Sequence, residues 1–126
     1  MSVIMKDVKN CQHFKAIDNT LLCELLHPAR EEIDIPYSIA HASLESGCTS
    51  LHHRLVKSSE VYFILEGKGK MHIDSESIEV GPGQAIVIPP GSWQHISNIG
   101  STELKFLCIV HPMWTVDDEE IKGAPL

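Results

Sequence analysis

The chain has 126 residues, 17 acidic and 10 basic, and a formal net charge of -7 with its 8 histidines neutral. That length makes one domain with a core of its own and removes the need for a disulfide staple. The acidic balance leaves no basic footprint for nucleic acid and disfavours an anionic membrane surface, so the expected partner is a small molecule. There is no long apolar span, and no charged-then-apolar leader over Met1–Asn10, so the expected compartment is the cytoplasm.

Residues 1–36 read as a short irregular extension packed on the domain. Within it, "DNTLLCELLHP" is either a short helix capped by Asp18 or Asn19 or a short strand, and Pro28 ends it. The four cysteines, Cys11, Cys23, Cys48 and Cys108, form no C-x-x-C pair. They read as unpaired thiols of a reducing compartment, with Cys108 a small hydrophobe inside "LKFLCIV".

From Tyr37 the texture changes. Short runs ("SIAHASLE", "SLHHRLV", "EVYFILE", "GKMHID", "SIEV", "AIVIP", "WQHISN", "LKFLCIV") alternate with Gly, Pro, Asn and Asp turns. Strands this short and evenly punctuated predict an all-β antiparallel sandwich or barrel over residues 37–112. Residues 113–126 are acidic and read as an exposed tail.

Two runs are apolar on both faces. Tyr62 and Ile64 oppose Val61, Phe63 and Leu65; Phe106, Cys108 and Val110 oppose Leu107 and Ile109. A strand with one wet face alternates polar and apolar. The second face therefore needs a cover, either the N-terminal segment or a second subunit, and a homodimer is expected.

Strand parity also sorts the chemistry. His53 shares a face with Leu51 and Leu55, whereas His52 faces the other way with Arg54. Glu60 shares its face with Tyr62 and Ile64. If that face is the interior, a carboxylate there requires a partner, a proton or a cation. Gln94 shares a face with Ile96 and Asn98 and should point inward, where its amide oxygen can ligate a cation or bind a ligand. His95 faces away beside Trp93 unless a bulge near Pro90-Gly91 turns it in. His41 lies in a strand of small residues able to pass near the site.

Gly47, His53, Leu55, Glu60 and Gly67 are separated by five, one, four and six residues. This spacing resembles the first motif of the cupins, with Leu55 where that motif has a second histidine. "GQAIVIPPGSWQHISN" resembles the second motif through Gly83, Pro89, Gly91 and Asn98, with Gln94 at its histidine position. The resemblance covers roughly residues 37–112. It implies a double-stranded β-helix, the jelly-roll cupin barrel, commonly dimeric and commonly holding one divalent metal on three histidines and a glutamate. Matched residue by residue, the metal candidates are His53 and Glu60. Gln94 stands at a third position, and His41 is the candidate to replace the missing histidine. Nitrogen and oxygen donors of this kind suit Fe, Mn, Ni, Co or Zn alike. Tyr62, Met71, Ile88, Phe106 and His95 are the candidate pocket walls, with Trp93 beside them.

Two readings of function stay open. One is a metal-dependent enzyme, of isomerase or dioxygenase type, acting on a small polar molecule that carries a carboxylate or hydroxyl, sugar-like molecules included. The other is a non-catalytic binding or sensor barrel with a degenerate metal site. A dimer with only a vestigial site is the residual case.

Overall fold

The evenly spaced turns cut the chain into eleven strands in a computed structural model that describes residues 3–123. They are β1 (Phe14–Lys15), β2 (Leu21–Leu26), β3 (Ser38–Leu44), β4 (His53–Leu55), β5 (Ser59–Glu66), β6 (Gly69–Ile73), β7 (Glu76–Val80), β8 (Ala85–Ile88), β9 (Gln94–Asn98), β10 (Leu104–His111) and β11 (Glu119–Ile121). Every pairing is antiparallel, in two sheets ordered β1-β2-β3-β10-β5-β8 and β11-β4-β9-β6-β7. The all-β jelly roll expected from the sequence is the fold. Among the described residues, no helix is long and apolar enough to cross a membrane.

Alternate residues of both sheets meet in the middle. Ala40, Ala42, Tyr62, Ile64, Met71, Ile88, Ile96, Leu104 and Phe106 form one buried cluster. Removing a side chain of the Ile or Phe class from water stabilises by about 1.5–3 kcal/mol, so this layer fixes the register of both sheets. Tyr62 and Phe106 touch within it at 4.6 Å between ring centres. Met71, Ile88 and Phe106, read as pocket walls, belong to this packed layer instead.

Both ends of the chain depart from expectation. The N-terminal segment is not merely irregular: "LLCELL" is strand β2, paired along β3, and β1 extends the sheet beyond it. The four cysteines are not all free. Cys11 and Cys23 form a disulfide with 5.9 Å between Cα atoms, while Cys48 is exposed and Cys108 buried as thiols. The hairpin supplies the short Cα separation that a bridge needs. The tail is docked rather than free. β11 pairs β4, and the Asp118 carboxylate accepts from the Lys57 and Ser58 backbone N–H groups at 2.8 and 3.0 Å. Residues 124–126 of that tail lie outside the described residues.

The outer face of the six-stranded sheet carries Val61, Phe63, Leu65, Val87, Leu107 and Ile109. Phe63 and Leu65 are partly exposed, and Val87 more so. Of the two covers considered, the N-terminal segment lies only over the β2–β3 end, where His13 meets His41 at 2.9 Å.

The motif residues Gly67 and Asn98 serve the turns. Asn98 Nδ2 donates to Leu44 O and Thr102 O, while its Oδ1 accepts from Gly100 N. Gly67 has φ +89°, and a Cβ there would stand 2.6 Å from Glu103 O. Both strain and clash oppose any side chain. Gly67→Ala should therefore lower stability by about 2 kcal/mol or more, measured as a reduced urea midpoint at unchanged slope.

Candidate functional site

β5 enters the barrel with Glu60, and parity sends Glu60, Tyr62 and Ile64 inward together. β4 contributes His53 and Leu55 to the same interior, and β9 contributes Gln94, Ile96 and Asn98. His53 lies directly opposite Gln94 across the strand pair. His53, Glu60 and Tyr62 line a cavity of about 150 Å³ that opens at one end of the barrel. Its lining includes Asp18, His53, Glu60, Tyr62, Trp114 and Glu119.

Glu60 is 7% exposed and Gln94 1%. Gln94 Nε2 donates to Glu60 Oε1 at 2.9 Å. Gln94 Oε1 has no hydrogen-bond partner, the one such buried side-chain atom among the described residues. The amide thus occupies Oε1 and leaves Oε2 as the oxygen of Glu60 open to the cavity. Burial pushes the Glu60 carboxyl up to about 7, with the Asp18 and Glu119 carboxylates adding to the rise; His53 and the Gln94 hydrogen bond oppose it. Glu119 is also raised, chiefly by burial, although Trp114 Nε1 donates to it at 2.9 Å.

His53 Nδ1 lies 2.8 Å from Leu51 O, a group that can only accept, so Nδ1 carries the hydrogen. Nε2 then faces Asp18 Oδ2 at 3.5 Å. In the neutral ring Nε2 holds a lone pair; with a proton it forms an ion pair with Asp18. Asp18 is itself fixed by Thr20, whose N–H and hydroxyl both donate to Oδ1.

The structure therefore brings together His53, Glu60, Gln94 and Tyr62. It places the other two nominated histidines elsewhere. His41 stands on the outer face of the large sheet, because Ala40 and Ala42 take the inward positions. Its ring bonds His13, and burial lowers its pKa. His95 keeps the outward parity that its strand dictates, without a bulge. It stacks between His52 and His72, with ring centres 3.8 and 4.1 Å away. Burial, then its two neighbours, lowers the His95 ring to about 4. Trp93 lies outside as well, under Arg54 at 4.7 Å.

Sequence reasoning missed Asp18, Trp114 and Glu119, which come from the two ends of the chain. Trp114, an aromatic inside an acidic tail, was the one signal that could have pointed to them.

The donors do not fit the four-ligand metal site. Leu55 is a buried hydrocarbon where a histidine would be needed, and Gln94 has turned its NH2 group toward Glu60. No three His, Cys, Asp or Glu side chains among the described residues are arranged to hold a metal ion. What the arrangement can do is move protons, with a buried acid and an oriented imidazole on one wall.

The Glu60 shift has a sign for stability. The folded state keeps a proton that the unfolded chain releases above about pH 4.5, so this contribution is complete below that pH and is lost as pH rises through about 7. Glu60→Gln cannot ionise and keeps an acceptor for Gln94. It should match the wild type near pH 4 and exceed it by up to about 3 kcal/mol at pH 9, measured by denaturant titration at both pH values.

The comparisons with known proteins agree with this fold. The family described as Cupin domain matches residues 40–110. An uncharacterized protein, MJ1618 of Methanocaldococcus jannaschii, is 36% identical over 121 residues, covering 96% of each chain. An oxalate-binding protein of Thermotoga maritima is 28% identical over 71 residues, 56% of this chain and 59% of its own. Among solved structures, the nucleoside dehydratase Pac13 superposes with a TM-score of 0.76 at 20% identity, over 95% of this chain and 91% of that one, and Streptomyces Pac13 variants have been solved with uridine. From its two spaced motifs, its jelly roll and these matches, the chain belongs to the cupin domain family.

Proposed function

We propose that the chain is an acid–base enzyme of lyase or isomerase type that acts on a small uncharged polyol or nucleoside-like molecule. The observation that carries this is Glu60: a buried carboxyl, anchored through one oxygen and turned through the other toward the same cavity as His53. In a dehydration, neutral His53 takes a proton from carbon at Nε2. The carbon–oxygen bond then breaks, and the hydroxyl leaves as water with the proton of Glu60 Oε2. Both groups are reset by returning the proton from imidazolium to carboxylate. An isomerisation uses the same two groups without loss of water. Tyr62, which burial keeps protonated, Trp114 and Phe14 form the aromatic part of the wall. A cavity of this volume suits a sugar-sized fragment.

The charge of the lining favours an uncharged ligand. Asp18, Glu24, Glu60 and Glu119 face the cavity, and its one arginine, Arg30, is spent on Glu24 at 2.8 Å. A dianion such as oxalate would meet these carboxylates. The dehydratase likeness supports the reaction type, and the oxalate-binding relative supplies the contrasting ligand.

The test is proton exchange. Incubating the protein in D2O with uridine and a panel of hydroxy-carbonyl sugars, after chelator treatment, should show deuterium wash-in or water loss by NMR. His53→Ala and Glu60→Gln should each lower the rate by about 10²-fold or more. The wild-type rate should fall as pH rises through about 7, because the acid form of Glu60 is lost there. Activity that disappears with chelator and returns with Fe, Mn, Ni, Co or Zn would overturn the reading. Binding of a panel compound without exchange would assign the barrel to the sensor class.

We also propose that a second copy of the chain covers the Phe63–Leu65–Leu107 face. Apolar side chains on both sides of β5 and β10 support it. Sedimentation should give a dimer at micromolar concentration, and Phe63→Glu should give a folded monomer; a monomeric wild type would end the proposal.

A further inference from the structure

The disulfide closes the loop from Cys11 to Cys23, and that loop is a wall of the cavity. Phe14, Ala16, Ile17, Asp18 and Leu22 all lie inside it and all line the space. Little else holds its outer arm. β1 is two residues long and pairs β2 only through Phe14↔Leu22 and Lys15↔Leu21. Phe14 and Ile17 are each 46% exposed, so burial anchors them weakly. The turn that follows is better tied, by Ala16 N to Thr20 O and Leu51 N to Asp18 O, both at 2.8 Å. His13 meets His41 at 2.9 Å, Cys11 Sγ lies 3.5 Å from Glu24 O, and Asp18 faces His53 at 3.5 Å.

We propose that the Cys11–Cys23 disulfide is a reversible latch on this wall, closed when oxidised and released by a dithiol reductant. The two sulfurs are unequal in a way that suits exchange. Cys11 is half-buried and reachable, whereas Cys23 is fully buried on β2, opposite His41. A thiolate of the reductant attacks Cys11 Sγ, the S–S bond breaks, and Cys23 leaves as a thiolate that takes a proton. The second thiol of the reductant then displaces Cys11, which departs as a thiol, and the reductant becomes a disulfide. Two electrons and two protons pass to the protein. Released, the arm from Cys11 to Lys15 keeps two strand pairs, one ring contact and a weak thiol contact of Cys11 with Glu24 O, so the cavity opens along Phe14 and Ile17. The carboxylate that faces His53 loses the stiff loop that carries it. Every barrel strand from β3 to β10 lies outside the closed loop, so release is local.

The inference stands independently of the catalytic reading, because it is tested on the protein alone. Thiol alkylation in denaturant and mass analysis of protein purified without reductant should show Cys48 and Cys108 modified and Cys11 and Cys23 protected. In a Trp93→Phe background, Trp114 in the cavity wall is the remaining tryptophan. Dithiothreitol should then at least double its acrylamide quenching constant and speed trypsin cleavage after Lys15 by tenfold or more. Far-UV circular dichroism should stay that of a β-barrel, and reoxidation should reverse both effects. Cys11→Ser should behave as permanently released and ignore reductant. Four modified thiols in the purified protein, quenching and cleavage unmoved by reductant, or loss of the β-signal on reduction, which would make the bridge a staple of the whole fold, would each overturn the proposal.

Discussion

One hydrogen bond organises the interior. Glu60 is buried at the edge of the cavity, and the group that meets it is the neutral amide of Gln94 rather than a cation. Burial, with two nearby carboxylates, raises that carboxyl to about 7, and an imidazole and an amide oppose the rise without cancelling it. The position of β9 against β4 and β5 follows from the same contact, because Gln94 must face both His53 and Glu60. Replace the amide by an imidazole, as the family pattern does, and the pair becomes a ligand set. With the amide the carboxyl is left with a neutral hydrogen-bond donor and no cation.

The barrel was legible in the sequence because its signals are local. Parity in "QHISN" pointed Gln94 inward and His95 outward, and parity in "EVYFIL" grouped Glu60 with Tyr62 and Ile64 without saying which face was interior. The turn residues were legible for the same reason: Gly67 and Asn98 answer requirements of the backbone within a few residues. His41 was misjudged because the strand gives only its parity. Which parity faces inward depends on Ala40 and Ala42 packing against β10, a long-range fact. Met71, Ile88 and Phe106 face inward as expected, but inward in a small barrel is mostly filled space.

The ends of the chain were the least legible. Asp18 reaches His53 through a hairpin whose turn has no hydrophobic period, and Asn19 at its tip adopts φ +74°. Glu119 belongs to an acidic run that resembles solvated tail in every local respect. Its place is decided by Asp118 capping the turn at Lys57–Ser58 and by Trp114 entering the cavity. Composition cannot reveal such docking, because the groups it satisfies are backbone N–H donors forty or more residues away in sequence.

The three stacked imidazoles on the small sheet bear on acid tolerance. His95 resists protonation until about pH 4 in the folded chain, whereas an unfolded histidine takes its proton near 6.5. Unfolding therefore gains a proton at His95 across the same interval in which it releases one from Glu60. The two slopes oppose each other between about pH 4.5 and 6.5, the exposed stack being the weaker because solvent screens it. A surface ring cluster and an interior acid that never touch thus act with opposite sign, and stability changes less with pH across mild acid than Glu60 alone would make it.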